Sequence, residues 1–89
     1  MATQLKEAYS SLLLETLEKN IVVYNDDFNT FNHVIETLIQ VLDHSPEQAE
    51  QCTMLIHYKG KCKVKQGTYE VLEPLCTAIL RRGISAEIH

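Results

Sequence analysis

The sequence holds no apolar run near the ~20 residues that a membrane-spanning helix requires. Its first residues, MATQLKEAY, have neither the basic start nor the apolar segment of a secretory signal, so the expected location is the cytoplasm. Basic charge is also in short supply. Eight Lys and Arg stand against twelve Asp and Glu, and the net charge of −4 argues against nucleic acid as the main partner. Cysteine is sparse and unpatterned. Cys52, Cys62 and Cys76 form no C-x-x-C pair, which fits a reducing compartment and small buried or idle thiols.

The signatures of common chemistries are missing too. There is no G-x-S-x-G, no HExxH, no Gly-rich phosphate loop and no Cys/His metal pattern. His57 and Cys62 lie close in sequence, but two ligands do not make a zinc site, and His33, His44 and His89 are scattered. No metal, no cofactor and no enzymatic activity are expected. Nor is there an internal repeat, a low-complexity tract or a linker. What remains is 89 residues, 45% of them apolar, which suits one small soluble domain.

The apolar pattern divides the chain. Leu5, Tyr9, Leu12, Leu13 and Leu17 have helical spacing within residues 1–20, which we read as an N-terminal extension. Ile21 to Tyr24 is β-branched and aromatic, hence a strand. Asn25 to Asn29 is a polar loop. From Thr30, the residues Phe31, Val34, Ile35, Leu38, Ile39, Val41 and Leu42 recur as one helix, with Asn29 or Thr30 as its cap. Ser45-Pro46-Glu47-Gln48 starts a second helix that places Ala49, Cys52, Thr53 and Ile56 on related faces and stops near Gly60. Residues 61–65 alternate with period two, so they read as a half-buried strand, and Gly67 reads as a turn. Thr68 opens a third helix, with Val71, Leu72, Leu75, Ile79 and Leu80 facing inward. Gly83 ends it and residues 84–88 form a last strand. The order strand-helix-helix-strand-helix-strand predicts an α+β core domain at 21–89, a three-stranded antiparallel sheet packed against three helices.

Lys59, Lys61, Lys63 and Lys65 form the one basic cluster, either a solvated strand edge or a contact for an acidic protein. Asn25, Asp26 and His57 supply an amide oxygen, a carboxylate and an imidazole nitrogen. All three can accept from a primary ammonium, with its three N–H donors and one charge. Val34, Thr53, Ile56 and Ile84 fall within one or two turns of them. Together they would suit the first residue of a peptide. Asp27 is assigned to holding the loop by accepting backbone N–H groups. Periodicity alone does not choose this reading over others. A weaker alternative reads Asp26, Asp27 and His57 as the acid–base set of a small hydrolase.

The run NDD at 25–27 ahead of an apolar helix, with SPEQAEQC at 45–52 and HYKGK at 57–61, resembles ClpS, the adaptor of the bacterial Clp AAA+ protease. The resemblance covers residues 21–88 and implies a non-enzymatic adaptor. Such an adaptor binds substrates with an N-terminal Leu, Phe, Tyr or Trp (N-degrons) and passes them to a ClpA- or ClpC-type unfoldase. It implies that Asn25, Asp26 and His57 hold the substrate's α-amino group. Asn29, Phe31, Val34, Thr53, Ile56 and Ile84 would line the side-chain pocket, with Phe31 at its mouth. Glu70, with Lys59 and Lys61 nearby, would meet the N-terminal domain of the unfoldase.

This sequence departs from the family's common N-D-D-x-T-P-M. Asn29 stands for Thr, Thr30 for Pro and Phe31 for Met. Thr53 stands where a Met is common, and Leu75 where some members have a Lys. The resemblance carries no membrane or nucleic-acid partner and a monomeric protein. A general protein-interaction module, like the C-terminal domain of the ribosomal stalk protein, shares the small α/β architecture without needing ammonium acceptors.

Overall fold

The central strand is longer than its apolar centre suggests. In the computed structural model, which describes residues 18–89, β1 runs over Glu18–Tyr24 rather than from Ile21. Its first three residues are polar, so β propensity does not mark them, and pairing holds them instead. Glu18, Lys19 and Asn20 lie opposite Thr68, Gly67 and Gln66. Asn20 also exchanges backbone hydrogen bonds with His89, at 2.7 and 2.8 Å. The helical pattern read at residues 5–17 lies outside the described residues.

The chain continues as α1 (Phe31–Leu42), α2 (Pro46–Lys59), β2 (Lys61–Thr68), α3 (Tyr69–Arg81) and β3 (Ala86–Ile88). The sheet order is β2-β1-β3, antiparallel throughout. Each helix begins on a hydroxyl cap. Thr30, Ser45 and Thr68 accept from the backbone N–H groups of His33, Gln48 and Val71. α2 ends on Gly60, whose φ of 89° is the left-handed conformation that favours glycine.

One core joins the helices to the sheet. Ile21, Val23, Leu38, Leu72 and Ile79 are almost completely buried in it. Val22 points to the other face yet is also buried. Two residues on, the Tyr24 hydroxyl meets His89 Nε2 at 2.9 Å.

Two expectations need correction. Gly67 does not turn the chain. It pairs with Lys19 inside β2, because β1 begins early enough to give residues 66–68 a partner. In α3, Val71 and Leu80 are half exposed and Cys76 is buried. Adjacent helical positions diverge by about 100°, so Leu72 and Ile79 take the inner face while Val71 and Leu80 turn away from it.

The β1–β2 ladder carries a bulge between Ile21 and Val22. Ile21 faces Lys65, Val22 faces Lys63, and Val64 is the extra residue. His44, in the turn between α1 and α2, is buried, and its Nε2 donates to the Val64 carbonyl at 2.7 Å. A carbonyl is acceptor only, so Nε2 carries the proton. The turn that swings His44 inward passes through Asp43 at φ 58°.

Candidate functional site

The loop between β1 and α1 is built around one carboxylate. Oδ1 of Asp26 accepts the backbone N–H groups of Phe28 (2.9 Å) and Asn29 (2.8 Å). Its Oδ2 accepts the side-chain amide of Asn29 at 2.6 Å. The loop-holding role expected of Asp27 therefore belongs to Asp26. The first N–H that Asp26 reaches is two positions on, the usual reach of an Asx turn, whereas Asp27 is exposed. These bonds hold the carboxyl below the ordinary carboxylate range. The backbone N–H of Asn29 contributes most, and partial burial works against it. The Asn29 side chain, the Phe28 N–H and the nearby His33 add to the lowering. Two carboxylate oxygens offer about four acceptor positions. Three are used, and a free one remains on Oδ2.

Three elements meet this loop. The backbone N–H of Asn25 donates to the Gly60 carbonyl at 2.9 Å, which ties the loop to the end of α2. The Asn29 amide donates to the Gly83 carbonyl at 2.9 Å, reaching the α3–β3 connection. His33, in the first turn of α1, places Nε2 2.8 Å from the Arg82 carbonyl.

Between these elements lies a cavity of about 310 Å³. Asn25, Asp26, Asn29, Phe31, Val34, Thr53, Ile56, His57 and Ile84 all line it, so every residue expected at the amino group or in the side-chain pocket comes to one place. Tyr24, Asp27 and Thr30 also line it. Thr53, Ile56 and His57 do so together because i, i+3 and i+4 share a helix face. Val34, Thr53, Ile56 and Ile84 are buried walls. The Thr53 hydroxyl donates to the Ala49 carbonyl at 2.8 Å, so its polarity is spent inside the helix.

The mouth is aromatic. Phe31 is 42% exposed and meets His57 edge to face, and Tyr58 flanks the imidazole on another side at 5.1 Å. The imidazole of His57 makes no hydrogen bond with the described residues.

The family model described as ATP-dependent Clp protease adaptor protein ClpS matches residues 16–87. The chain belongs to the ClpS family. A ClpS adapter protein of Thermosynechococcus vestitus is 35% identical over 66 residues, covering 73% of this chain and 70% of that protein. One from Treponema denticola is 27% identical over 71 residues, covering 80% and 70%. Agrobacterium tumefaciens ClpS2, solved bound to L-phenylalaninamide, shares the fold with a TM-score of 0.71 at 19% identity. That likeness covers 81% of this chain and 96% of ClpS2.

The cavity of this ClpS-family chain contains the whole NDD motif and the His of HYKGK, at 25–27 and 57. The residues expected to meet an unfoldase are less concentrated. Lys59 and Lys61 flank Gly60 at the start of β2, whereas Glu70 follows its end. Eight strand residues at ~3.3 Å each put about 23 Å between those ends, so Glu70 and the two lysines do not form one patch.

Sequence reading missed the clasp that His33 makes with Arg82, and it missed buried His44. No periodic signal marks either one. Asn29 stands out in the sequence as a departure from the motif, but its hydrogen bonds to Asp26 and Gly83 do not.

Proposed function

We propose that the chain binds the free α-amino end of protein substrates that begin with a large apolar residue, and delivers them to a Clp-type AAA+ unfoldase. One observation carries the reading. A carboxylate, an amide and an imidazole converge on one cavity whose deeper walls are apolar. An ammonium has three N–H donors to match three acceptors, the free position on Asp26 Oδ2, the Asn25 side-chain oxygen and a neutral His57 nitrogen. L-phenylalaninamide, the ligand of ClpS2, has a free amino group and a phenyl side chain, and it lacks a carboxylate.

The magnitudes are adequate. An aromatic side chain buries roughly 150–250 Å², worth at most about 4–6 kcal/mol. Charge-assisted hydrogen bonds add about 1.5–3 kcal/mol each, and micromolar affinity requires about 8 kcal/mol net of binding costs. Leu, Phe, Tyr and Trp have the apolar area to reach it, and the shape of the mouth rather than area separates Leu from its isomer Ile.

Asp26 is a poor general base. Three of its acceptor positions are committed, and its ionised form is stabilised well below neutrality. We infer that the protein acts as an adaptor without turnover, as a cytoplasmic monomer. Glu70 on α3, with Lys59 and Lys61 as a separate basic contact, meets the N-terminal domain of the unfoldase. Among the described residues no helix is long and apolar enough to cross a membrane.

A pair of peptides tests the reading. A labelled peptide beginning with Phe should bind in fluorescence anisotropy, and its N-acetylated twin should not. Acetylation removes the charge and leaves the acceptors unpaired. Equal affinity for both would refute it.

A further inference from the structure

Ile84 forms the buried wall of the cavity on the short connection between α3 and β3. Every carbonyl around it is engaged. Arg82 O accepts from His33 Nε2 at 2.8 Å, Gly83 O from Asn29 Nδ2 at 2.9 Å, and Ser85 O from the Tyr24 N–H at 3.0 Å. The bond at Ser85 continues the β1–β3 pairing. The other two come from side chains, and both run back to the start of α1. That helix also carries Val34 in the wall and Phe31 at the mouth.

Asn29 does more than hold the loop. Its Nδ2 spends one hydrogen on Gly83 O and the other on Asp26 Oδ2. The amide thus joins the carboxylate that would hold an ammonium to the segment that carries the far wall. His33 braces the same segment one residue earlier. Both side chains thus tie the segment that carries Ile84 to the start of α1 and to Asp26.

We propose that His33 and Asn29 are positioning residues that clamp the 82–84 segment onto α1, and that the clamp sets the cavity depth by which first residues are distinguished. The proposal rests on the peptide-end reading above. Without the clamp, Gly83, at φ 81° and with open space around its Cα, lets the segment swing outward. Ile84 then recedes. A Leu side chain loses contact with the wall and leaves a void, whereas a Trp side chain fills the added space.

The test compares affinities of peptides that differ only in a first Leu or Trp, measured by competition anisotropy on the full chain. In His33→Leu, which removes the donor at similar size, the Leu peptide should weaken about fivefold or more relative to the Trp peptide. His33→Gln, whose amide N–H can reach the same carbonyl, should restore most of the wild-type ratio. If both peptides weaken equally in His33→Leu, or if neither changes, the clamp is refuted. It is also refuted if His33→Gln behaves like His33→Leu. Should His33→Leu fail to fold, Asn29→Ser shortens the clamp from its other end and is read by the same ratio. A wild-type chain that binds neither peptide would refute the peptide-end reading itself, and the clamp with it. Wild-type binding with unmoved ratios refutes the clamp alone.

Discussion

Phe31 meets His57 edge to face, with ring centroids 5.0 Å apart and ring planes at 71°. Such aromatic pairs are worth about 0.5–1.5 kcal/mol beyond their buried area, so each ring holds the other in place. The mouth is narrowed by a stiff ring where a Met would be adaptable. A side chain branched at Cβ is widest next to the amino group, where Phe31 and His57 close in. Phe31→Ala should therefore cut the preference for a Phe-first over an Ile-first peptide by about tenfold, chiefly by admitting Ile. Isothermal titration calorimetry with the two peptides reads the ratio. An unchanged preference would remove Phe31 as the gate.

Asp26 shapes its loop, and the described residues leave one acceptor position of its carboxylate unused. Asp26→Asn preserves the size and loses the charge, so a Phe-first peptide should bind about thirtyfold more weakly or worse. The stability effect has a defined sign. The folded pKa is lowered from its ordinary 3.8, so this contribution is present above that value and is lost as pH falls through the lower folded one. The difference in melting temperature between wild type and Asp26→Ala should stay level from about pH 8 to pH 5 and shrink below about pH 4. A difference that widens in acid would show that the hydrogen bonds do not stabilise the anion.

Much of this arrangement was legible before any coordinates. Hydroxyl caps at Thr30, Ser45 and Thr68, with glycines at 60 and 83, bound the helices by local chemistry, and local chemistry is what a sequence displays. Asn25, Asp26 and His57 were legible through motif resemblance alone, since nothing periodic links residues 25 and 57. The polar start of β1 was hidden because the ladder, not propensity, makes Glu18–Asn20 a strand. Asp27 was chosen over Asp26 for the loop because neighbouring carboxylates look alike until the backbone N–H groups have positions. The contacts of His33 with Arg82 and of His44 with Val64 join residues 49 and 20 apart, beyond any local rule.

Among the described residues, His44 is the one side chain that donates to the bulge carbonyl of Val64. His44→Leu is near in size but leaves that buried acceptor unpaired, at a cost of about 1–3 kcal/mol. His44→Gln can still donate an N–H and should recover part of the loss. Urea unfolding followed by circular dichroism should show a lowered midpoint for Leu and an intermediate one for Gln. Equal midpoints for wild type and His44→Leu would mean that the carbonyl finds another donor.

Cys52 precedes the wall residue Thr53 on α2, and its thiol is pushed up to about 11, first by burial and then by the neighbouring Cys62 thiol. Only the thiolate is a nucleophile. At pH 8, three units lower, roughly one Cys52 in a thousand is ionised at any moment. Iodoacetamide should therefore leave Cys52 almost unlabelled at that pH in the folded chain. Its rate should climb about tenfold per unit toward pH 11. Denaturant should bring the pH 8 rate up to that of an ordinary thiol. Cys62→Ala removes the smaller cause and should give a modest increase while the fold persists. Peptide mapping by mass spectrometry follows each cysteine separately. Rapid labelling of Cys52 at pH 8 in the native state would show that neither burial nor the Cys62 thiol raises its pKa in the folded chain.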